Sequence, residues 1–447
     1  MRGIRHMRNG RMTWLCLIGV FLLFQAFPSP LSSCRAEEYT FEVSEFEKKP
    51  YHIGGYAEIN PILFGLDRDA SLYKLRFYNL DEGPNIEQYG GTLQLDGSYE
   101  KGIARGFVRT NSNLVYTYQG WSGETSLYEG FLSLKPSSSL TLDAGKRTMK
   151  WGKGYAWNPA AFVDRPKDPD DPTLALEGYF VASMDYTKSF SSGPLKTFSF
   201  TPVVLPEYGD VNDDFGESDH INVAAKAYFL LHDTDIDFMF LAGGSKTPRY
   251  GFDFSRNLGS NLEVHGEFAF INDFQQTLID ANGNTYQNTS NAINYVLGIR
   301  YLSTLNTTYI LEYYQQGTGV SSSEMSDYFS FIDKGYNAFL SSGDTRALAK
   351  AATLTRGNYG GFTPETNYLY LRASQPEPFD TLYFTPALTW IFNLDDRSFS
   401  LTPELLYTPI TNLELRLRTG VLVGAKDTEF GEKQNDYRVE LRVRYYF

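Results

Sequence analysis

The final segment of the chain, Asp436 to Phe447, alternates without a break. Tyr437, Val439, Leu441, Val443, Tyr445 and Phe447 fall on one side, and Arg438, Glu440, Arg442, Arg444 and Tyr446 on the other. A period of two is the mark of a strand with one apolar and one polar face. The segment before it repeats the pattern, with Leu413, Leu415, Leu417, Val421 and Val423 against Glu414, Arg416 and Arg418.

Alternation alone suits a half-buried soluble sheet as well as a membrane barrel. Recurrence decides between them. Similar runs lie near 71–80, 91–101, 124–134, 178–190, 219–231, 234–244, 260–272, 290–303 and 380–393. Most reach about ten residues, enough for a tilted strand to cross a hydrocarbon core, whereas soluble strands usually run to about five or six. The connections also alternate in length. Short ones fall near 101–103, 135–138, 191–195, 232–234, 257–260, 303–306, 375–380 and 408–412. Longer ones fall at 113–123, 149–177, 206–218, 273–289, 317–365 and 425–434, with tight turns near 243–245 and 395–397. Counting back from Phe447 with that parity places the first strand near Leu72. The expected fold is therefore all-β: a transmembrane antiparallel barrel of about 18 strands, with 16 as the alternative, and long external loops. The barrel is assigned to 71–447, and 37–70 to a lead-in or a first strand.

The beginning of the chain sets the expected compartment. Arg2, Arg5, Arg8 and Arg11 precede an apolar run from Trp14 to Phe27 that is too short for a comfortable membrane helix, so residues 1–36 read as a cleaved signal peptide. Cleavage after Ala36 and lipidation at Cys34 both fit. Cys16 and Cys34 are the only cysteines, so the mature chain has no disulfide. The chain carries 53 acidic and 40 basic side chains, and cleavage removes five of the arginines and no acid, which argues against a nucleic-acid partner.

The terminal aromatic strand ending in Phe447, the signal segment and the strand pattern resemble the Gram-negative porin-type outer-membrane barrels over roughly residues 51 to 447. That resemblance implies contact with outer-membrane lipid and lipopolysaccharide, and handling of the last strand by the barrel assembly machinery. It also implies an external loop folded inward as a constriction. Trimers occur in that class, although no feature of this sequence forces one. The expected function is a channel for passive or facilitated diffusion of small hydrophilic solutes, anionic ones included. Two alternatives remain open: a gated substrate-binding or polysaccharide-export barrel, and a plugged structural or adhesive barrel.

The segment 145–172 is the candidate constriction. It combines Trp151 and Trp157 with Gly152 and Gly154, a series of prolines, and the charges Asp164, Arg165, Lys167, Asp168, Asp170 and Asp171. Prolines stiffen a loop that has to hold charges in a lumen. The plain alternative is a solvated loop with its tryptophans in the interfacial girdle. Arg416, Arg418, Arg438, Arg442 and Arg444 form a candidate basic ladder on the inward face of the last two strands. Lys74, Arg76, Asp143, Arg147, Lys226, Asp235, Asp237, Glu263, Glu267, Arg300 and Glu312 are expected on other inward faces.

Loop 317–365 reads as two helices, Glu324 to Leu340 and Thr345 to Thr355 with Asp344 as N-cap. It is a candidate lid presenting Tyr328, Phe329, Phe331, Tyr336 and Phe339. Tyr368, Tyr370 and Tyr383 are candidate sugar-stacking residues. The acidic loop 210–219 departs from the EF-hand spacing at Phe215, so no metal is assigned. Beyond the leader the histidines are His52, His220, His232 and His265. His265 sits between Glu263 and Glu267, but no nucleophile elbow or metal-binding histidine pair accompanies it, so neither catalysis nor a cofactor is expected.

Overall fold

The computed structural model describes residues 49–447; the expected signal segment and both of its processing alternatives lie outside them. Eighteen strands form one sheet in which every neighbour is antiparallel. They are β1 (Tyr51–Leu66), β2 (Asn85–Lys101), β3 (Ala104–Thr117), β4 (Gly120–Ser137), β5 (Leu140–Arg147) and β6 (Tyr179–Ser189), then β7 (Leu195–Glu207), β8 (His220–Leu231), β9 (Thr234–Ala242), β10 (Arg249–Asn257), β11 (Leu262–Ile279) and β12 (Thr285–Leu302), and finally β13 (Thr308–Gln316), β14 (Asn367–Ser374), β15 (Phe384–Asn393), β16 (Phe399–Ile410), β17 (Leu413–Val423) and β18 (Asn435–Tyr446). Ile59 of β1 stands opposite Gly91 of β2 and Val443 of β18, so the sheet closes on itself. Closure removes the unpaired edges that a hydrocarbon environment does not tolerate.

The barrel is inside out relative to a water-soluble protein. Leu93, Leu95, Leu132, Leu142, Phe238, Leu297, Leu417 and Leu441 are exposed on its outer face, while the intervening Gln94, Asp143, Asp237, Glu267, Arg418 and Glu440 are buried within. Ordinary folds bury leucine and expose glutamate, so this inversion fits lipid outside and a polar lumen inside. Eighteen strands enclose more space than side chains alone can fill.

Three segments differ from the sequence expectation. Residues 71–80 do not form a strand: Ser71–Phe77 is helix α1, and 51–66 takes the place of the first strand, which keeps the count at eighteen. Tyr73 and Phe77, one helical turn apart, bury with Leu66 and Ala70, whereas Leu72, Leu75 and Tyr78 meet a second apolar cluster. A strand has one apolar face and cannot serve two clusters in this way; a helix can. Lys74 and Arg76 therefore stand on α1 rather than on a strand, with Lys74 Nζ 2.8 Å from Asp333. The expected long loops at 113–123 and 273–289 shrink to the turns at 118–119 and 280–284, because β3, β4, β11 and β12 carry their ladders outward; the outer end of β12 is exposed on both faces, while the tip of β11 packs under the cap.

The remaining long connections gather at one end, the external end in the porin arrangement. Within 317–366 lie α2 (Ser322–Ser342) and α3 (Arg346–Thr355). A reciprocal capping box between Ser321 and Glu324 starts α2, and the Asp344 carboxylate accepts from the Arg346 backbone N–H at the start of α3. Tyr328, Phe329, Phe331 and Ile332 bury against Leu278 and Ile279 at the tip of β11, Leu348 of α3 and Tyr359, and α1 packs on the same cluster. The ring order puts β11 almost opposite β1, so this cap bridges the mouth. Tyr328 and Phe331 are thus the core of the cap and Tyr336 packs against it, rather than facing an incoming solute. A helical pair raised off the barrel wall has to bury its own apolar face.

Ile332→Ala removes a fully buried side chain from the cap, a loss of about 2–4 kcal/mol for a large-to-small core change. Limited proteolysis should then cut faster within 317–366, while the heat-modifiable electrophoretic shift of the barrel stays unchanged. Loss of that shift would mean that cap and barrel fold as one unit.

Candidate functional site: an inward loop against an arginine wall

The connection between β5 and β6, residues 148–178, turns into the barrel. Its turns are set locally. The Asp164 carboxylate accepts from the backbone N–H groups of Met149, Lys150 and Trp151 at 2.7, 3.0 and 2.8 Å, which closes the loop on itself. Burial pushes this carboxyl above the ordinary range, and the three donors oppose that rise. Lys167 reaches the carbonyl oxygens of Gly154 and Tyr155 and stitches the two arms together. Arg165 pairs with Asp214 of the 208–219 loop and lies over the Tyr179 ring.

The wall then takes hold of the loop's backbone. Glu267 of β11 accepts from the N–H groups of Lys153, Gly154 and Ala160. Glu312 of β13 accepts from Tyr155 and Ala156 and also binds His265 Nε2 at 2.8 Å. A Cβ at position 152 would lie 2.7 Å from the Glu267 carboxylate, and Gly152 has φ +92°, so glycine is what allows this approach. His265 is thereby part of the anchor.

Two apolar plugs complete the seat. Trp151 is buried with Phe162, Val163 and inward residues of β6 to β9. Trp157 stacks on Tyr314 at 5.0 Å, contacts the rings of Tyr368 and Tyr370, and donates through its indole N–H to Thr363. Both tryptophans are inside the barrel, not in an interfacial girdle. Tyr368 and Tyr370 are consequently covered, and Tyr383 stands 58% exposed in the 375–383 turn at the opposite end, so these three tyrosines form no sugar-stacking platform. The turn chemistry of 375–383, which pairs Glu377 with the Tyr383 N–H, overrides the alternation that placed Tyr383 on a strand.

The elbow of the loop, 168–175, reaches the far wall. Asp170 meets Arg418 at 3.0 Å, and it also bonds Arg438 and Thr402 Oγ1. Asp171 lies 3.0 Å from Arg442, 3.6 Å from Arg418 and 3.8 Å from Arg416. Burial alone would raise both carboxyls, but the guanidinium groups outweigh it and hold them below the ordinary carboxylate range. Asp168 does not face the arginines directly; it accepts from the Asp170 N–H, and burial raises its carboxyl. Glu404 and Glu440 complete the network on the wall itself.

β18 runs from the long-loop end inward and β17 runs back, so the arginines descend in the order Arg438, then Arg418, then Arg416 opposite Arg442, then Arg444. Cavities flank the elbow. One of about 380 Å³ on its outer side includes Phe64, Asp168, Asp170, Phe430 and Arg438. One of about 230 Å³ on its inner side includes Tyr56, Arg109, Thr173, Arg416, Arg442 and Arg444. Arg444 is held there by Glu58 at 2.7 Å and by the Tyr56 ring. Of the other expected inward charges, Arg147 pairs with Asp143 within β5, and Lys226 lies 3.8 Å from Asp237, which also takes Lys153.

Above the elbow a carboxylate cluster ties three external loops together. Tyr368 and Asn393 donate to Glu429 at 2.7 and 2.9 Å, the Glu429 N–H bonds Asp396, and Glu365 takes the Ser322 hydroxyl. Burial pushes Glu365 up to about 8 and Glu429 up to about 7. Both values lie above the unfolded carboxylate value of about 4.3, so the cluster's stability is fully present at low pH and is lost as pH rises through about 7 to 8. Hydrogen exchange in 317–366, corrected for intrinsic rate, should speed up between pH 6 and 8.5, and Glu365→Gln should flatten that rise. Equal protection at both pH values would contradict the latch.

No family model and no curated protein matches this sequence. Among solved structures the barrel is similar to Acinetobacter baumannii OccAB1, at 9% identity and a TM-score of 0.51, covering 89% of this chain and 97% of that one. It is also similar to Pseudomonas aeruginosa OccK11 (OpdR), at 11% identity and a TM-score of 0.50, covering 88% and 95%. At such identities the likeness is one of fold: a closed 18-stranded antiparallel barrel.

Proposed function

We propose that this protein is an outer-membrane channel that passes small hydrophilic solutes bearing a negative group along the arginine wall of β17 and β18. One observation carries the reading. The five arginines form a continuous descent from the outer cavity to the inner one, and Asp170 and Asp171 stand against its midpoint. Facing rows of opposite charge set up a transverse field, which orients a charged or dipolar solute as it passes. A solute carboxylate can exchange with Asp170 or Asp171 for the same guanidinium groups, because the geometry that holds a loop carboxylate also suits a passing one. No step of this kind forms or breaks a covalent bond, and the proposed role is transport rather than catalysis.

A gated variant of the same reading is favoured by the cap, since α1, α2 and α3 bridge the mouth around one apolar cluster. Entry then depends on the cap moving aside. The elements that move are those bound by the carboxylate latch. Insertion through the barrel assembly machinery, with β18 and Phe447 as the signal, belongs to the same proposal.

Planar-bilayer recording under a salt gradient tests it. The wild type should show discrete steps with a reversal potential of anion preference. Asp170→Asn with Asp171→Asn should strengthen that preference, and Arg416→Glu with Arg444→Glu should weaken or reverse it. Unchanged reversal potentials in both double variants would overturn the arginine pathway. Silence from a folded, heat-modifiable barrel would replace the channel by a plugged barrel.

A further inference from the structure

A third cavity, of about 530 Å³, lies at the external end beside the pathway, and its lining includes the 357–364 segment that also borders the outer cavity. That volume is within the range of small-molecule sites. Its floor is the seated part of the inward loop, Trp157 to Asp164, which is fixed to the wall by Glu267 and packed on buried apolar side chains. None of the five ladder arginines lines it. It is therefore a recess in the mouth, next to the route rather than on it.

Its charges are unusual for this protein. Lys246, in the turn between β9 and β10, and Arg249, at the start of β10, both line the cavity, and neither has a carboxylate partner among the described residues. Arg249 Nε is buried without any hydrogen bond. Lys246 has the Phe215 ring 3.8 Å beneath its ammonium, and burial together with the Arg249 and Arg165 charges pushes it down to about 7. Lys167 adds a third cation, of which the loop carbonyls occupy two donor positions. The carboxylate that lines the cavity, Asp164, is already spent on three backbone N–H groups. Elsewhere in the lumen the ladder arginines are each paired with acids. Two unpaired, desolvated cations cost stability unless an anion joins them.

The lining also brings five aromatic side chains, Trp157, Phe162, Phe274, Tyr314 and Phe362, beside neutral polar ones such as Asn158, Asn294, Gln316 and Thr318. Phe362 is 55% exposed, so one wall of the recess stays apolar and accessible. We infer that this recess is a binding site for a small aromatic oxyanion, with the anionic group on Arg249 and Lys246 and the ring between Phe274 and Phe362. Arginine supplies a planar pair of donors to a carboxylate or phosphate, and the ammonium adds a second charge from the side. Such a site holds its ligand at the mouth without lying on the conduction path.

Isothermal titration of the detergent-solubilised full-length protein with phenyl phosphate tests this, with inorganic phosphate measuring the headgroup alone. The wild type should bind phenyl phosphate at one site, at least about tenfold more tightly than inorganic phosphate because of the ring contacts. Arg249→Gln and Lys246→Met should each weaken it about tenfold or more, while Arg249→Lys recovers part of the loss. Arg444→Glu, on the pathway, should leave it unchanged. No saturable binding to the wild type, or equal binding by wild type and Arg249→Gln, would overturn the site. Loss in Arg444→Glu alone would move the binding to the arginine wall. Single-channel current in Arg249→Gln should match wild type, so failure of this site and failure of the channel reading are separate results.

Discussion

The interior of this barrel depends on two buried glutamates that accept backbone N–H groups. Glu267 and Glu312 stand on neighbouring regions of one wall and together take five N–H groups of the inward loop. A loop entering a lumen leaves behind the water that hydrated its backbone, and each unpaired N–H would cost about 1–3 kcal/mol. A carboxylate serves several such donors at once, and hydrogen bonds to a charged acceptor are the stronger kind. The rest follows from that seat: the tryptophans fill the space on either side, the elbow is carried to β17 and β18, and Asp170 and Asp171 arrive at the arginines.

Much of the fold was legible in the sequence because a membrane barrel writes its faces in a period of two. The runs at 413–423 and 436–447 led directly to β17 and β18 and to the inward side of Arg416, Arg418, Arg438, Arg442 and Arg444. The same rule failed at 71–80, where Leu72, Tyr73, Leu75, Phe77 and Tyr78 suit a strand and a two-faced helix equally well. Only the tertiary partners, the mouth of the barrel on one side and the cap on the other, decide between them. Loop lengths at 113–123 and 273–289 were overestimated for a related reason. A strand that extends beyond the membrane keeps its ladder after the regular alternation of apolar and polar residues has ended, so the periodic signal ends before the strand does.

The roles of the loop charges were the least legible. Asp164, Lys167, Asp168, Asp170 and Asp171 look alike in sequence. In the structure the first closes the loop, the second stitches its arms, the third caps a turn, and the last two face the arginines. Glu267 and Glu312 were read as members of a polar wall and are in fact the clamp. What could have pointed to the clamp is Gly152, since a glycine in a stiff loop signals close approach of another group, here the Glu267 carboxylate. The external cavity with Lys246 and Arg249 carried no sequence signal, because it is assembled from the β9–β10 turn, the inward loop and the 357–364 segment, which are far apart in the chain.

The cap and the clamp divide the control of the lumen. The carboxylate latch around Glu365 and Glu429 binds the external loops to one another, whereas Glu267 and Glu312 fix the loop within the barrel. Single-channel conductance of Glu267→Ala with Glu312→Ala tests whether that clamp seats the loop. Releasing five backbone donors should free the loop from its seat, giving a larger and noisier conductance than wild type with the barrel's heat-modifiable mobility retained. A conductance and noise indistinguishable from wild type in the folded double variant would contradict it.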